Sequence, residues 1–426
     1  MLDMLQVPYH TALPPLKRSC SSRARIRGGE RVKDTTMKLR QVAVIALTAP
    51  YVRADTPADH PANGVRNCVF VRIDAEDGRS GWGEAYSGCY ATEVTVAALR
   101  RLRPALLQCR SDDPAQIMRE VRFRNRYWAM RGVGAGAISA IESAVYDLYA
   151  QQQGKPLWQV LGGQGGGGKV LAYASAGDNS FGPEQIYAQA RRVREQGFRA
   201  YKLRCGGGAG DTPQDRLAWD VERVAAARQA IGPDGSVFVD VGVGQRPQTW
   251  PRQWAERYLR ALSPYRIGFL EEPAMTYDVK GYAALQRLGL TPIAAGESFT
   301  DPQEFAPFFE AQALGVAQPD AAVVGGPASA VTVCRMAQEH GVPVCLHAWS
   351  AGVGIAQNLH AAWACANVLA IEWPISQHPP QTQPAAGLVR FQDGYLLAST
   401  KPGLAVDVSD ELLKRYPYRP DCERDF

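Results

Sequence analysis

No stretch of the 426-residue chain approaches the roughly 20 consecutive apolar residues that a membrane-spanning helix requires, and the N-terminal segment lacks the apolar core of a secretory signal. A membrane partner is therefore not expected. The nine cysteines include no Cys-x-x-Cys pair and no zinc spacing, and their number is odd. That argues against a disulfide framework and for a reducing compartment, with the cytoplasm as the default. No basic patch is interleaved with aromatic residues and no nucleic-acid-binding module is present, so a nucleic-acid partner is not expected either. The net charge is only +5, and most of it falls in residues 1–36, where Lys17, Arg18, Arg23, Arg25, Arg27, Arg31 and Lys33 face only Asp3, Glu30 and Asp34. The remaining body is close to neutral.

What is present is an ordinary globular composition, with 46% apolar and 21% charged residues, at a length that suits a (β/α)8 barrel and a smaller partner domain. Residues 1–36 have no hydrophobic periodicity, and Pro14-Pro15 interrupts any long helix there, so they read as a disordered extension ahead of a first strand opening at Met37-Lys38-Leu39-Arg40. Strand-like alternation over Leu39–Leu47 and Asn67–Ile73, followed by Gly81-Trp82-Gly83-Glu84, predicts a small antiparallel sheet. Helical patterns cover Thr92–Leu107, Pro114–Tyr127 and Gly134–Gln153, and Gly162–Gly168 reads as a linker. Eight short apolar strands separated by helices then follow: Val170–Tyr173, Ala200–Leu203, Val237–Asp240, Ile267–Leu270, Ile293–Ala295, Val316–Gln318, Val342–Leu346 and Leu369–Ile371. Eight such strands are what a closed barrel needs, so the fold class is α/β, a (β/α) barrel with a smaller sheet-and-helix domain ahead of it. The expected divisions are a first domain over 37–165, a barrel over 166–378 and a segment 379–426 that returns to the first domain, with strand-like sequence over Gly387–Pro402.

Catalytic groups of such barrels stand at the C-terminal ends of the strands. There the sequence carries Lys202 and Arg204, Asp240, Glu271, Glu297, Asp320, His347 and Glu372. One carboxylate at a strand end is more often a helix cap, and one histidine more often a satisfied core residue. Three acids on consecutive strands that converge on one mouth are different, because they repel unless a cation neutralises them. An all-oxygen set suits a hard ion such as Mg²⁺. A histidine beside a carboxylate has a fixed tautomer and a raised proton affinity, which suits a general base.

The succession Tyr201-Lys202-Leu203-Arg204, Val239-Asp240, Leu270-Glu271-Glu272-Pro273, Ala295-Gly296-Glu297-Ser298, Gln318-Pro319-Asp320, Leu346-His347 and Ile371-Glu372 resembles the mandelate-racemase subgroup of the enolase superfamily. Glu142 with Asp147, ahead of Leu161-Gly162-Gly163, is similar to the helix that joins the two domains of that family. The resemblance implies that Asp240, Glu271 and Glu297 bind one Mg²⁺ per subunit beside the substrate carboxylate. It implies that Lys202 and Glu372 flank that carboxylate and that Asp320 orients His347 as base or acid. It further implies a modified TIM barrel under an α+β capping domain built from both chain ends, a small-molecule carboxylate substrate and a homo-oligomer, from dimer to octamer.

Two positions depart from the family pattern. Arg204 stands where racemases carry a second lysine that acts as a base, and arginine stays protonated. Gly242 stands where an asparagine is usual, with Gln245 a candidate replacement for its amide. The leading expectation is dehydration of an aldonate or aldarate to a 2-keto-3-deoxy acid. Racemisation or epimerisation, cycloisomerisation and an inactive binding protein are the alternatives. Tyr51, Tyr86 and Trp349 are candidate substrate contacts, with Arg53, His60, Tyr90 and Arg126 as further candidates.

Overall fold

The computed structural model describes residues 37–60, 63–163, 168–207, 209–243 and 250–422, so residues 1–36 and Gln245 lie outside the described set. Two long strands, β1 (Leu39–Arg53) and β2 (Gly64–Ala75), pair antiparallel from Leu39↔Ala75 to Tyr51↔Gly64, and β3 (Ser80–Ala85) adds to the other edge of β2. The period of two along β2 turns Val69, Val71 and Ile73 toward α1 (Thr92–Leu107), α2 (Pro114–Arg124) and α3 (Gly132–Gln152), while Cys68 and Phe70 join the apolar cluster shared with the barrel. Both faces of β2 are therefore largely buried. The sheet meets α3 backbone to backbone. A Cβ on Gly83 would lie 1.9 Å from the Ala140 carbonyl oxygen, so only glycine permits that approach.

After the short α4 (Leu157–Val160) comes the barrel. Its strands are β4 (Lys169–Ala176), β5 (Ala200–Arg204), β6 (Ser236–Asp240), β7 (Leu270–Glu271), β8 (Ile293–Ala295), β9 (Val316–Ala317), β10 (Val344–Leu346) and β11 (Val368–Pro374). Between them run α5 (Pro183–Glu195), α6 (Pro213–Ile231), α7 (Arg252–Leu262), α8 (Val279–Gln286), α9 (Ala306–Glu310), α10 (Pro327–Glu339) and α11 (Gly352–Ala364). Each strand is parallel to the next, and β11 pairs with β4 to close the ring. Inside, Tyr173, Phe238 and Phe269 pack with the smaller Ala200, Ala294, Val316, Cys345 and Ala370. No helix among the described residues is long and apolar enough to cross a membrane.

The segment beyond residue 375 divides its contacts. Strand β12 (Ser376–Gln377) pairs with β1, and α12 (Pro379–Thr382) follows. The strand-like stretch expected to return to the cap is instead a hairpin, β13 (Phe391–Gln392) and β14 (Tyr395–Leu397), and β14 pairs antiparallel with β4. Leu396 is buried there and its carbonyl accepts the Trp363 indole N–H, so the hairpin's apolar residue belongs to the barrel. Beyond it Leu404 reaches Asp147 of α3, and after α13 (Asp410–Arg415) the backbone at Tyr416 and Arg419 bonds to Thr48 of β1.

Candidate active site

The C-terminal ends of the strands enclose a cavity of about 630 Å³. Lys202, Arg204, Asp240, Glu297, His347 and Glu372 form its inner wall, and Tyr51, Arg53, Tyr86, Tyr90, Asn179 and Trp349 its outer part. Glu271 and Asp320 are fully buried behind that wall. Parallel register sets the first contacts, since Arg204, Asp240 and Glu271 are direct cross-strand partners on β5, β6 and β7. The Arg204 guanidinium lies 3.1 Å from Asp240, and Lys202 Nζ lies 3.0 Å from Glu271 and 2.8 Å from Glu372. Burial disfavours the Lys202 ammonium, but Glu271 and Glu372 outweigh it and hold its pKa well above the usual lysine value.

His347 follows β10 directly. Its Nδ1 is 2.7 Å from Asp320 Oδ2, and its Nε2 is 3.6 Å from both Glu297 and Glu372. Asp320 Oδ1 accepts from the Asn358 amide and from the backbone N–H of Ala322, which fixes the carboxylate as an acceptor. Nδ1 therefore carries the proton toward Asp320 and Nε2 faces the cavity wall. Burial on its own would strip the imidazolium, but Glu297, Glu372 and Asp320 outweigh it and raise the His347 pKa to about 10. For Glu372 burial is likewise overcome, here by Lys202 and His347, and its carboxyl sits down at about 2.

Burial pushes Glu271 well above the carboxylate range. Lys202 opposes that shift, while Asp240 and Glu297 add to it. Glu297 goes the other way, because His347 and Lys202 overcome its burial. The two acids thus shift in opposite directions within one crowded cluster. Among the described residues no three His, Cys, Asp or Glu side chains stand ready-made as a metal cage, since Asp240 is turned to Arg204 and Glu271 to Lys202. The donor chemistry nevertheless fits a hard divalent cation: three carboxylates on adjacent strands, oxygen atoms only, with more negative charge than the neighbouring cations offset.

Of the candidate substrate contacts, Tyr51, Tyr86 and Trp349 line the cavity, as do Arg53 and Tyr90. The Tyr86 ring lies 5.7 Å from that of His347, and its hydroxyl is 2.6 Å from the Tyr90 hydroxyl. His60 and Arg126 do not line it. His60 reaches Ser180 and Asp178, and Arg126 stacks on Phe123 and Tyr127.

Sequence reasoning missed Ser175, which bonds to Glu372, because β4 runs three residues past its expected end. It also missed Asp178, which holds the Arg53 guanidinium in an ion pair, and Glu272. Glu272 is buried at φ +48°, and burial first, then Glu297 and Asp240, raise its pKa to about 8. The doubled acid of Glu271-Glu272 was the available signal. The two departures at 204 and 242 are one arrangement. A Cβ on Gly242, which has φ +49°, would come within 2.7 Å of Arg204 Nη2, so the glycine leaves the seat that the guanidinium fills.

Residues 34–162 match the model of the mandelate racemase/muconate lactonizing enzyme N-terminal domain, and residues 185–412 match the enolase C-terminal domain-like model. A D-galactonate dehydratase of Cronobacter sakazakii is 28% identical over 80% of this chain and 89% of its own. An L-talarate/galactarate dehydratase of Salmonella typhimurium is 26% identical over 92% and 93%. The crystal structure of a 3,6-anhydro-D-galactonate cycloisomerase from Zobellia galactanivorans superposes with a TM-score of 0.77 at 25% identity, covering 90% of this chain and 100% of that one. With both domain models matched in order around a closed barrel, the chain belongs to the mandelate racemase/muconate lactonizing enzyme family of the enolase superfamily.

Proposed function

We propose that the protein dehydrates an acid sugar, an aldonate or aldarate, by removing the proton α to its carboxylate and expelling the β-hydroxyl as water. The observation that carries this reading is an asymmetric site. One wall offers a buried, Asp320-oriented His347, and another offers Arg204, which holds its proton and so cannot act as a base. Asp240, Glu271 and Glu297 would hold one Mg²⁺, which when bound supplies positive charge beside the substrate carboxylate.

Lys202 lies against the same carboxylate from the β5 side, and its two ion pairs fix its ammonium in place. His347 acts neutral at Nε2. Neutralising Glu297 weakens the first of the charges that hold its proton. His347 takes the proton from C2, the released electron pair forms the C2=C3 bond, and the C3 oxygen leaves as water with the proton that His347 returns. The enol product then tautomerises to the 2-keto-3-deoxy acid. Dehydratases among the similar proteins support the reaction class. Racemisation needs a second base on the opposite face, which Arg204 does not provide.

The test is proton NMR in D₂O with Mg²⁺ and a panel of mono- and diacid sugars, with 3,6-anhydro acids included because of the structural likeness. A 2-keto-3-deoxy product with deuterium at C3 is expected. Interconversion of C2 epimers with deuterium at C2 and no keto acid would overturn the assignment.

A further inference from the structure

Helix α11 begins five residues after His347, and no side chain of its own caps it. The acceptor comes from the other domain. Glu84 of β3, fully enclosed, takes the Ala351 N–H on Oε1 and the Gly354 N–H on Oε2, each at 2.7 Å. Both donors belong to the orphan amides of a helix start, where a negative charge is favoured. Gly354 permits the approach, since a Cβ there would stand 2.5 Å from the Ser350 side chain and 3.1 Å from Glu84 Oε2. No Lys or Arg forms an ion pair with Glu84 among the described residues. Burial pushes the Glu84 carboxyl up to about 7 against the two amides and the Arg66 guanidinium, so this is a costly way to start a helix, and a serine or aspartate placed at residue 351 would serve stability at less cost.

What the arrangement adds is a rigid route to the dyad. The backbone N–H of Glu84 donates to Gln357 Oε1 at 2.6 Å, and the Gln357 amide donates to the Ala321 carbonyl at 3.2 Å. Next along α11, Asn358 donates to Asp320 Oδ1 at 2.8 Å and accepts from Ala321 N–H at 2.7 Å. Gln357 and Asn358 are fully buried. Asp320 then bonds to His347 Nδ1. A second grip comes from β2, where the Arg66 guanidinium donates to the Trp349 carbonyl at 2.6 Å.

We infer that Glu84 is a positioning residue for proton transfer: the cap supplies the carboxylate that seats α11, and α11 through Asn358 holds Asp320 and hence His347 in line with the substrate. The inference rests on the reading of His347 as the acid–base group. It gives the cap a part in the chemistry itself, in addition to enclosing the substrate.

The experiment compares kcat and KM of the full chain with Mg²⁺ and an active acid sugar for the parent, Glu84→Gln, Asn358→Leu and His347→Asn, with melting temperature recorded for each. Glutamine keeps the size of Glu84 but turns an NH₂ toward one of the two amides. Glu84→Gln and Asn358→Leu are each expected to lower kcat by about 10- to 100-fold, the scale of a misplacement near 1 Å, with KM within about threefold of the parent. A kcat within twofold of the parent in folded Glu84→Gln would overturn the inference, as would a loss that merely tracks the folded fraction. If Glu84→Gln does not fold, Asn358→Leu decides by the same criterion. The two readings fail separately: turnover retained by His347→Asn removes the acid–base assignment, whereas turnover retained by Glu84→Gln beside an inactive His347→Asn removes only the positioning role.

Discussion

Two layers of the barrel interior stand two residues apart on the same strands and differ in almost every physical respect. In the lower layer Phe238 and Phe269 stack at 4.2 Å, with Tyr173 edge-on to both, and the layer is closed to water. Two residues further on, Ser175 follows Tyr173, Lys202 follows Ala200, Asp240 follows Phe238, Glu271 follows Phe269, His347 follows Cys345 and Glu372 follows Ala370. Because strand side chains alternate with a period of two, each pair faces inward at successive heights. The apolar layer gives the ionic layer a floor without water. Charges above it interact strongly, and the opposed pKa movements of Glu271, Glu297 and His347 follow. The lower layer supplies apolar burial, and the upper one supplies the charges of the site.

The largest effect that would break this division is loss of the base. His347→Asn should lower turnover by about 10³-fold or more while moving the melting temperature little. A drop of ten degrees would show that the ionic layer also carries the fold. Replacing any one of Asp240, Glu271 or Glu297 by Ala should abolish Mg²⁺-dependent turnover and weaken Mg²⁺ binding by calorimetry. The fold should persist, since removing one of three clustered acids relieves repulsion. Unchanged affinity in all three variants would remove these residues from the cation site.

The lower layer should behave inversely. Phe269→Ala deletes one ring of the stack and should cost about 3–5 kcal/mol in urea unfolding, with turnover per folded molecule kept within a few-fold. A collapse of kcat at full folding would mean that the floor shapes the site as well as insulating it.

A smaller effect comes from a second buried histidine. His360 on α11 accepts the Trp158 N–H and donates to the Leu404 carbonyl, and burial lowers its pKa to about 3, against about 10 for His347. The same burial acts on both, and the neighbouring carboxylates decide the direction. In the unfolded chain His360 takes a proton near pH 6.5, but the folded state refuses it. The stability it contributes is therefore present above about pH 6.5 and is lost as pH falls toward 3, at up to about 1.4 kcal/mol per pH unit. His378, also lowered to about 3, adds with the same sign. His360→Gln should shrink the slope of unfolding free energy between pH 6.5 and 4 by about that amount, and an unchanged slope would show that His360 is not the group responsible.

The smallest effect concerns Gly242→Asn, which suits asparagine by its positive φ but displaces the Arg204 guanidinium from Asp240. KM should rise about tenfold, with kcat falling less. No change in either would mean that Arg204 does not touch the substrate.

The eight barrel strands were legible because each is a short apolar run, and the site residues were legible because seven of the eight, from the second to the eighth, end in an ionisable residue. The hairpin Phe391–Leu397 was misplaced because a strand's own sequence does not say which edge it pairs with, and that choice was made by the Trp363 indole and the β4 edge. Ser175 was hidden by a two-sided apolar strand whose end carries no charge. Glu84 was quoted only as part of a turn, since its partners lie 267 and 270 residues away, and no local pattern reports a contact of that separation.

The shared seat of Arg204 and Gly242 also ties the two positions together. Guanidinium and a side chain at 242 compete for one volume, so the two positions behave as a single two-letter word. A side chain at 242 would crowd Arg204 Nη2 and press the guanidinium away from Asp240. Substitution at either position is therefore felt at the other.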